Sequence, residues 1–155
     1  MTPRQCEIAA ESYSASLLAR CGYDISVQYG ANQPQYDLVA VKGSRIILVS
    51  VKGSQDGGWM LAVKHVGNGV LYHAAIDTWE QSQRKDLVFM MVQYMHASLT
   101  QAPPVYVARA AAIAAEDPVQ WKRPRLPARG LSARPSQVQV LAQDPGRLAV
   151  HSSAH

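Results

Sequence analysis

Three polar residues stand where the surrounding pattern is otherwise apolar and strand-like. Asp37 opens the run YDLVAV, while Ser50 and Lys52 fall near the end of IILVSVK with Val51 between them. Strand side chains alternate, so Ser50 and Lys52 share one face of their strand. An ammonium at the end of an apolar strand is costly without an anionic partner, and Asp37 on the preceding strand is the nearest candidate. Glu11 lies upstream on a helical segment, with Glu7 one turn earlier on the same face. Two carboxylates, a hydroxyl and a lysine are thus the candidates for one polar cluster at the end of the sheet. Each residue also has a plainer reading. Asp37 can cap the turn after GANQPQ, Lys52 can extend its amine out of a strand end, and Glu7 and Glu11 can be a solvated helix face.

The elements that must position these residues can be read from periodicity and punctuation. Apolar and small residues recur helically from Glu7 to Cys21, and Gly22 stops the helix. Residues 23–29 alternate as a strand. Residues 36–41 and 46–52 are β-rich runs joined by KGSR, which predicts a hairpin at the centre of a sheet. Trp59–Val63 is predicted as a short or edge strand, residues 71–83 as a helix, residues 86–95 as a buried strand, and Val105–Ala108 as another strand. An Ala-rich helix follows over 109–116. Prolines interrupt the text beyond Pro118, where only Ser136–Ala142 has the pattern of an edge strand. The expected architecture is an α/β domain over 1–116, a mixed central sheet flanked by helices, with a basic, Pro/Arg-rich extension over 117–155.

The run AESYSASLLARCGYDI, then YDLVAV, then ILVSVKGS resembles the PD-(D/E)XK nuclease superfamily, and within it archaeal Holliday-junction resolvases and small homing endonucleases. The likeness covers roughly residues 7–54, and residues 70–116 only in the order of elements. It implies a three-layer, restriction-endonuclease-like core and Mg²⁺-dependent cleavage of DNA phosphodiesters, with Mn²⁺ as a substitute ion. On this resemblance Asp37 and Glu11 are metal ligands, Lys52 positions the attacking water, and Ser50 stands at the place of the second acidic residue. The sequence departs from the family there, because a serine hydroxyl is a neutral, weak ligand that removes a full charge from beside the ion. Glu11 or Asp56 offers a replacement carboxylate. The departure keeps two alternatives open: a nuclease-fold protein that binds nucleic acid or a protein without cutting, and an accessory subunit that retains the fold as a scaffold.

Composition narrows the classes further. Of 155 residues, 48% are hydrophobic and 17% charged, enough for a core and unlike a disordered chain. No apolar run approaches the ~20 residues of a membrane span, and MTPRQCEIAAES lacks the apolar stretch of an export signal. Cys6 and Cys21 belong to one predicted helix, about 20 Å apart at its rise per residue, so no disulfide is expected and cytoplasm is the default compartment. The formal charge of +4 arises entirely beyond residue 116: residues 1–116 carry nine basic and nine acidic groups. The extension carries Lys122, Arg123, Arg125, Arg129, Arg134 and Arg147 against Asp117 and Asp144. Lys122, Arg123, Arg125 and Arg129 are the candidate phosphate contacts, and a solubilising tail is the alternative. DNA is the expected partner, with no membrane, and a homodimer would match the two strands of a duplex. Gln93 at a strand end is a further polar group for the active edge. His65, His73 and His96 lack metal-ligand spacing, no G-x-S-x-G elbow is present, and neither KGS sits in a phosphate-loop pattern.

Overall fold

A computed structural model of the chain describes residues 1–28, 35–59, 61–66 and 72–115, and the strand 138–140. The first helix, α1 (Pro3–Arg20), begins four residues before the expected Glu7. Thr2 caps it: the Thr2 hydroxyl accepts from Gln5 N at 3.2 Å and the Gln5 amide oxygen accepts from Thr2 N at 2.8 Å. Pro3 fills the first turn, where its missing N–H costs nothing. This start was legible as T-x-x-Q, but the apolar period sets in only later. At the other end Gly22 takes φ 81° immediately after the C-cap Cys21, the left-handed stop expected of it. Lys42 Nζ donates to the Cys21 carbonyl at 2.7 Å and stands over the Tyr23 ring, so the helix terminus is tied to the sheet.

The sheet runs β1 (Asp24–Val27), β2 (Leu38–Lys42), β3 (Arg45–Ser54), β4 (Leu87–Gln93), β5 (Val105–Arg109) and β6 (Val138–Val140), in that spatial order. β1, β2 and β3 are antiparallel neighbours, β3 and β4 are parallel, β4 and β5 antiparallel, and β5 and β6 parallel. The parallel β3–β4 step needs a crossover, and α2 (Tyr72–Ser82) provides it. A short helix, α3 (Ala110–Ala115), follows β5 directly. The segment predicted as a strand at Trp59–Val63 is not one: Trp59 is a buried loop residue and Val63–His65 forms a single 3₁₀ turn. Trp59 packs beneath α2 with Ala62, Ala75 and Trp79, and burying the indole on that face outweighs local strand preference. The edge strand expected within Ser136–Ala142 is present as β6. The remainder of the extension, including Lys122, Arg123, Arg125 and Arg129, lies outside the described residues.

Two apolar layers result. On one face, Val49, Val51, Val88, Met90 and Val92 meet Ala10 and Leu18 of α1; on the other, Leu87, Phe89 and Met91 meet Ile76 and Trp79 of α2 and Ile113 of α3. The molecule is therefore a three-layer α/β fold with a mixed sheet. All seven residues of β4 are buried, as befits a strand covered on both faces. The Trp79 and Phe89 rings pack at 5.3 Å in a tilted arrangement. α1 lies close to the sheet because its inward positions, Cys6, Ala10 and Ser14, are small and one turn apart. Gly53 of β3 is required beneath it: a Cβ there would stand 2.8 Å from the Cys6 carbonyl oxygen and 3.1 Å from Ala10 Cβ.

Candidate functional site

The site forms where β2 leaves β3. Their ladder runs from Lys42↔Arg45 to Leu38↔Val49, while β3 continues to Ser54 beside β4. Asp37 is the first residue past the end of that ladder. Its backbone N–H still donates to the Val49 carbonyl at 2.8 Å, and its carboxylate replaces the missing strand: Oδ2 accepts from Val51 N at 2.6 Å and from Ser50 Oγ at 3.3 Å. A charged acceptor on a ladder N–H makes a stronger bond than the carbonyl it replaces. Asp37 is half-buried, Ser50 is buried, and Lys52 is exposed at the strand's free end. Ser50 and Lys52 share the face of Leu48, as the alternation required, and Val51 points to the α1 side.

The expected pairing of Lys52 with Asp37 is replaced by these two hydrogen bonds. Among the described residues the ion pairs are Arg4–Glu7 and Arg84–Asp86, both on the surface. Lys52 acts at longer range. Half-buried Glu11, one residue beyond Ala10 on α1, has its carboxyl pushed above its ordinary value, first by burial, then by the charges of Asp37 and Glu7; Arg4 and Lys52 pull it back. Glu11 is thus within electrostatic reach of both Asp37 and Lys52. The close α1–β3 approach at Gly53 is what brings it there. Glu11 and Lys52 flank the end of β3 from opposite faces.

Asp56, the other replacement carboxylate, serves its own turn. Its Oδ1 accepts from Gly58 N at 2.9 Å and Ser54 Oγ at 3.0 Å, and these bonds hold its carboxyl below the ordinary range. Sequence reading assigned no role to Tyr13 or Tyr94. Tyr94 follows β4, and burial, with Cys6 and Tyr13 nearby, raises its hydroxyl to about 12, so it stays protonated. No periodic signal marks such a residue, because its neighbours come from α1. Cys6 and Cys21 are both free.

Comparison with protein-family models, with curated proteins and with solved structures found no match. Among the described residues, no helix is long and apolar enough to cross a membrane. Nor do three or more His, Cys, Asp or Glu side chains gather where they could hold a metal ion. The centre offers two carboxylates, Glu11 and Asp37, with a hydroxyl that donates to one of them. All three are oxygen donors, the class a hard cation takes, and the charge of Asp37 raises the cost of ionising Glu11.

Proposed function

We propose that this chain is a Mg²⁺-dependent DNA endonuclease related to the PD-(D/E)XK nucleases, with Mn²⁺ able to replace Mg²⁺. The observation that supports the reading is that Glu11 of α1 lies within electrostatic reach of both Asp37, at the head of β2, and Lys52, near the end of β3, with Asp37 held on the Val51 N–H where β2 ends. Glu11 and Asp37 would hold the ion. When bound, such an ion polarises the scissile phosphate and lowers the pKa of a water. Asp37 is oriented for that role by the Val51 N–H, which fixes Oδ2 and leaves Oδ1 free of any bond within the protein among the described residues. Exposed Lys52 donates to the non-bridging phosphate oxygen on which charge accumulates, and positions the attacking water. Ser50 supports Asp37 through its hydroxyl and adds no charge. A cytoplasmic protein fits two free cysteines, and a twofold dimer fits cleavage of both strands of a duplex.

A second reading, a nucleic-acid binder that does not cut, is favoured by one observation. Both Ser50 Oγ and Val51 N are directed at the same Asp37 oxygen, so the protein itself satisfies half of that carboxylate. Calorimetric titration of Mg²⁺ and Mn²⁺ into wild type and Asp37→Ala, beside a plasmid-nicking assay, separates the two. Metal binding and nicking that both vanish in Asp37→Ala, with nicking also abolished in Lys52→Ala, support the nuclease. Gel retardation of DNA by a wild type that neither binds metal nor nicks supports the binder.

A further inference from the structure

β4 reads LVFMMVQ, and its last residue is the only polar one. Gln93 is 9% exposed, yet its side-chain amide makes no hydrogen bond among the described residues. Its backbone is satisfied, since Gln93 N donates to the Pro104 carbonyl at 2.9 Å. Among the described residues the buried side-chain polar atom without a partner is Ser14 Oγ, so the Gln93 amide reaches solvent at the strand end while its stem is covered, placed to bond a ligand from there. The parallel register pairs Ser54 with Gln93 and Lys52 with Met91, so Gln93 emerges on the same face as Lys52, one step closer to the carboxyl end of the strands. Ser54 Oγ, the nearest hydroxyl across that pair, is already given to Asp56. The Gln93 Nε2 stands 3.6 Å from where a Cβ on Gly57 would be, at the base of the loop that follows β3. Open α/β sheets bind their ligands at the carboxyl ends of such strands.

We infer that the Gln93 amide hydrogen-bonds a phosphate oxygen of bound nucleic acid beside Lys52. Nε2 is the donor, and the neighbouring ammonium selects an anionic oxygen over a neutral one. The inference rests on the DNA-directed reading above, but it requires neither metal nor cutting.

The test is fluorescence anisotropy of labelled duplex DNA with the full chain in EDTA, across a salt series, alongside thermal unfolding. Gln93→Leu is expected to weaken binding about tenfold, the loss of one charge-assisted hydrogen bond. Its unfolding temperature should equal or exceed that of wild type, and its salt slope should be unchanged because no charge is lost. Lys52→Met should instead reduce that slope by about one phosphate contact. Gln93→Glu should bind more weakly still, with a carboxylate facing the phosphate. If the branched leucine disturbs the strand end, Gln93→Met supplies the unbranched control. Wild-type affinity in a folded Gln93→Leu or Gln93→Met overturns this inference alone, and so does a fall in affinity that only tracks lost stability. A wild type that binds no DNA overturns both it and the function proposed above. A wild type that binds but does not nick removes only the cutting.

Discussion

Ser50 sits 3.3 Å from Asp37 and donates to it, a neutral hydroxyl steadying a charged carboxylate. Replacing that donor with a second carboxylate should reverse the balance. Ser50→Asp places two carboxylates side by side at a buried position, and without metal its stability should fall by about 1–3 kcal/mol. Added Mg²⁺ should then raise its unfolding temperature more than it raises that of wild type. Equal responses in a thermal-shift titration would argue that the pair is not a metal site. Glu11 provides a second residue-level expectation. Its carboxyl holds its proton more tightly in the folded chain than in the unfolded one, so ionisation there works against folding. Below the ordinary value of 4.5, Glu11→Gln and wild type should be equally stable. As pH rises through the raised value, wild type should fall behind, and the difference should persist at neutral pH. Saturating Mg²⁺ should reverse the order at neutral pH, because only the carboxylate gains from the ion. Denaturant midpoints across pH, with and without metal, measure both halves.

At the scale of elements, the site depends on how closely α1 lies on β3. That distance is set by Cys6 and Ala10 above and Gly53 below. Gly53→Ala would bring its Cβ to 2.8 Å from a backbone oxygen of α1 and 2.9 Å from Cys6 Sγ. Backbone cannot rotate out of the way, so the helix must shift. Overpacking of this kind costs about 1–3 kcal/mol. Because Glu11 follows Ala10 directly, the variant should also lose metal affinity while still folded, measured by calorimetry well below its unfolding temperature. Unchanged affinity in a destabilised Gly53→Ala would show that Glu11 does not belong to the centre. The same contact explains why α1 is only weakly amphipathic in sequence. Its buried line is Cys6, Ala10, Ser14 and Leu18, three small residues and one leucine, a pattern suited to closeness rather than apolar bulk.

At the scale of the whole molecule, charge is unevenly distributed: residues 1–116 are balanced, and the surplus lies beyond them. If those cations neutralise DNA phosphates, exchanging Lys122, Arg123, Arg125 and Arg129 for alanine should weaken binding at low salt. The slope of log affinity against log salt should fall by up to about 0.9 for each phosphate left without its cation. Nicking at saturating DNA should be retained, because Glu11, Asp37 and Lys52 all belong to the balanced part. An unchanged slope would make these residues a solubilising feature. β4 is buried along its full length and pairs with β3 as far as Ser54, beyond the point where the β2–β3 ladder ends.

The order of elements was legible in the sequence because hydrophobic period is a local property. Alternation marked β2 and β3, the apolar run marked β4, and Gly22 marked the end of α1. The shared face of Ser50 and Lys52 followed from the same alternation. Trp59 was misread as strand because its burial is decided by α2, a partner distant in the chain. The partner of Asp37 was equally out of reach. Strand order brought it opposite Ser50, but only the early end of the β2–β3 ladder left Val51 N unmatched, and a carboxylate took the place of a carbonyl. Sequence marked most of the elements and their order; tertiary structure decided which atoms meet, because hydrogen-bond partners across a sheet depend on where each ladder stops.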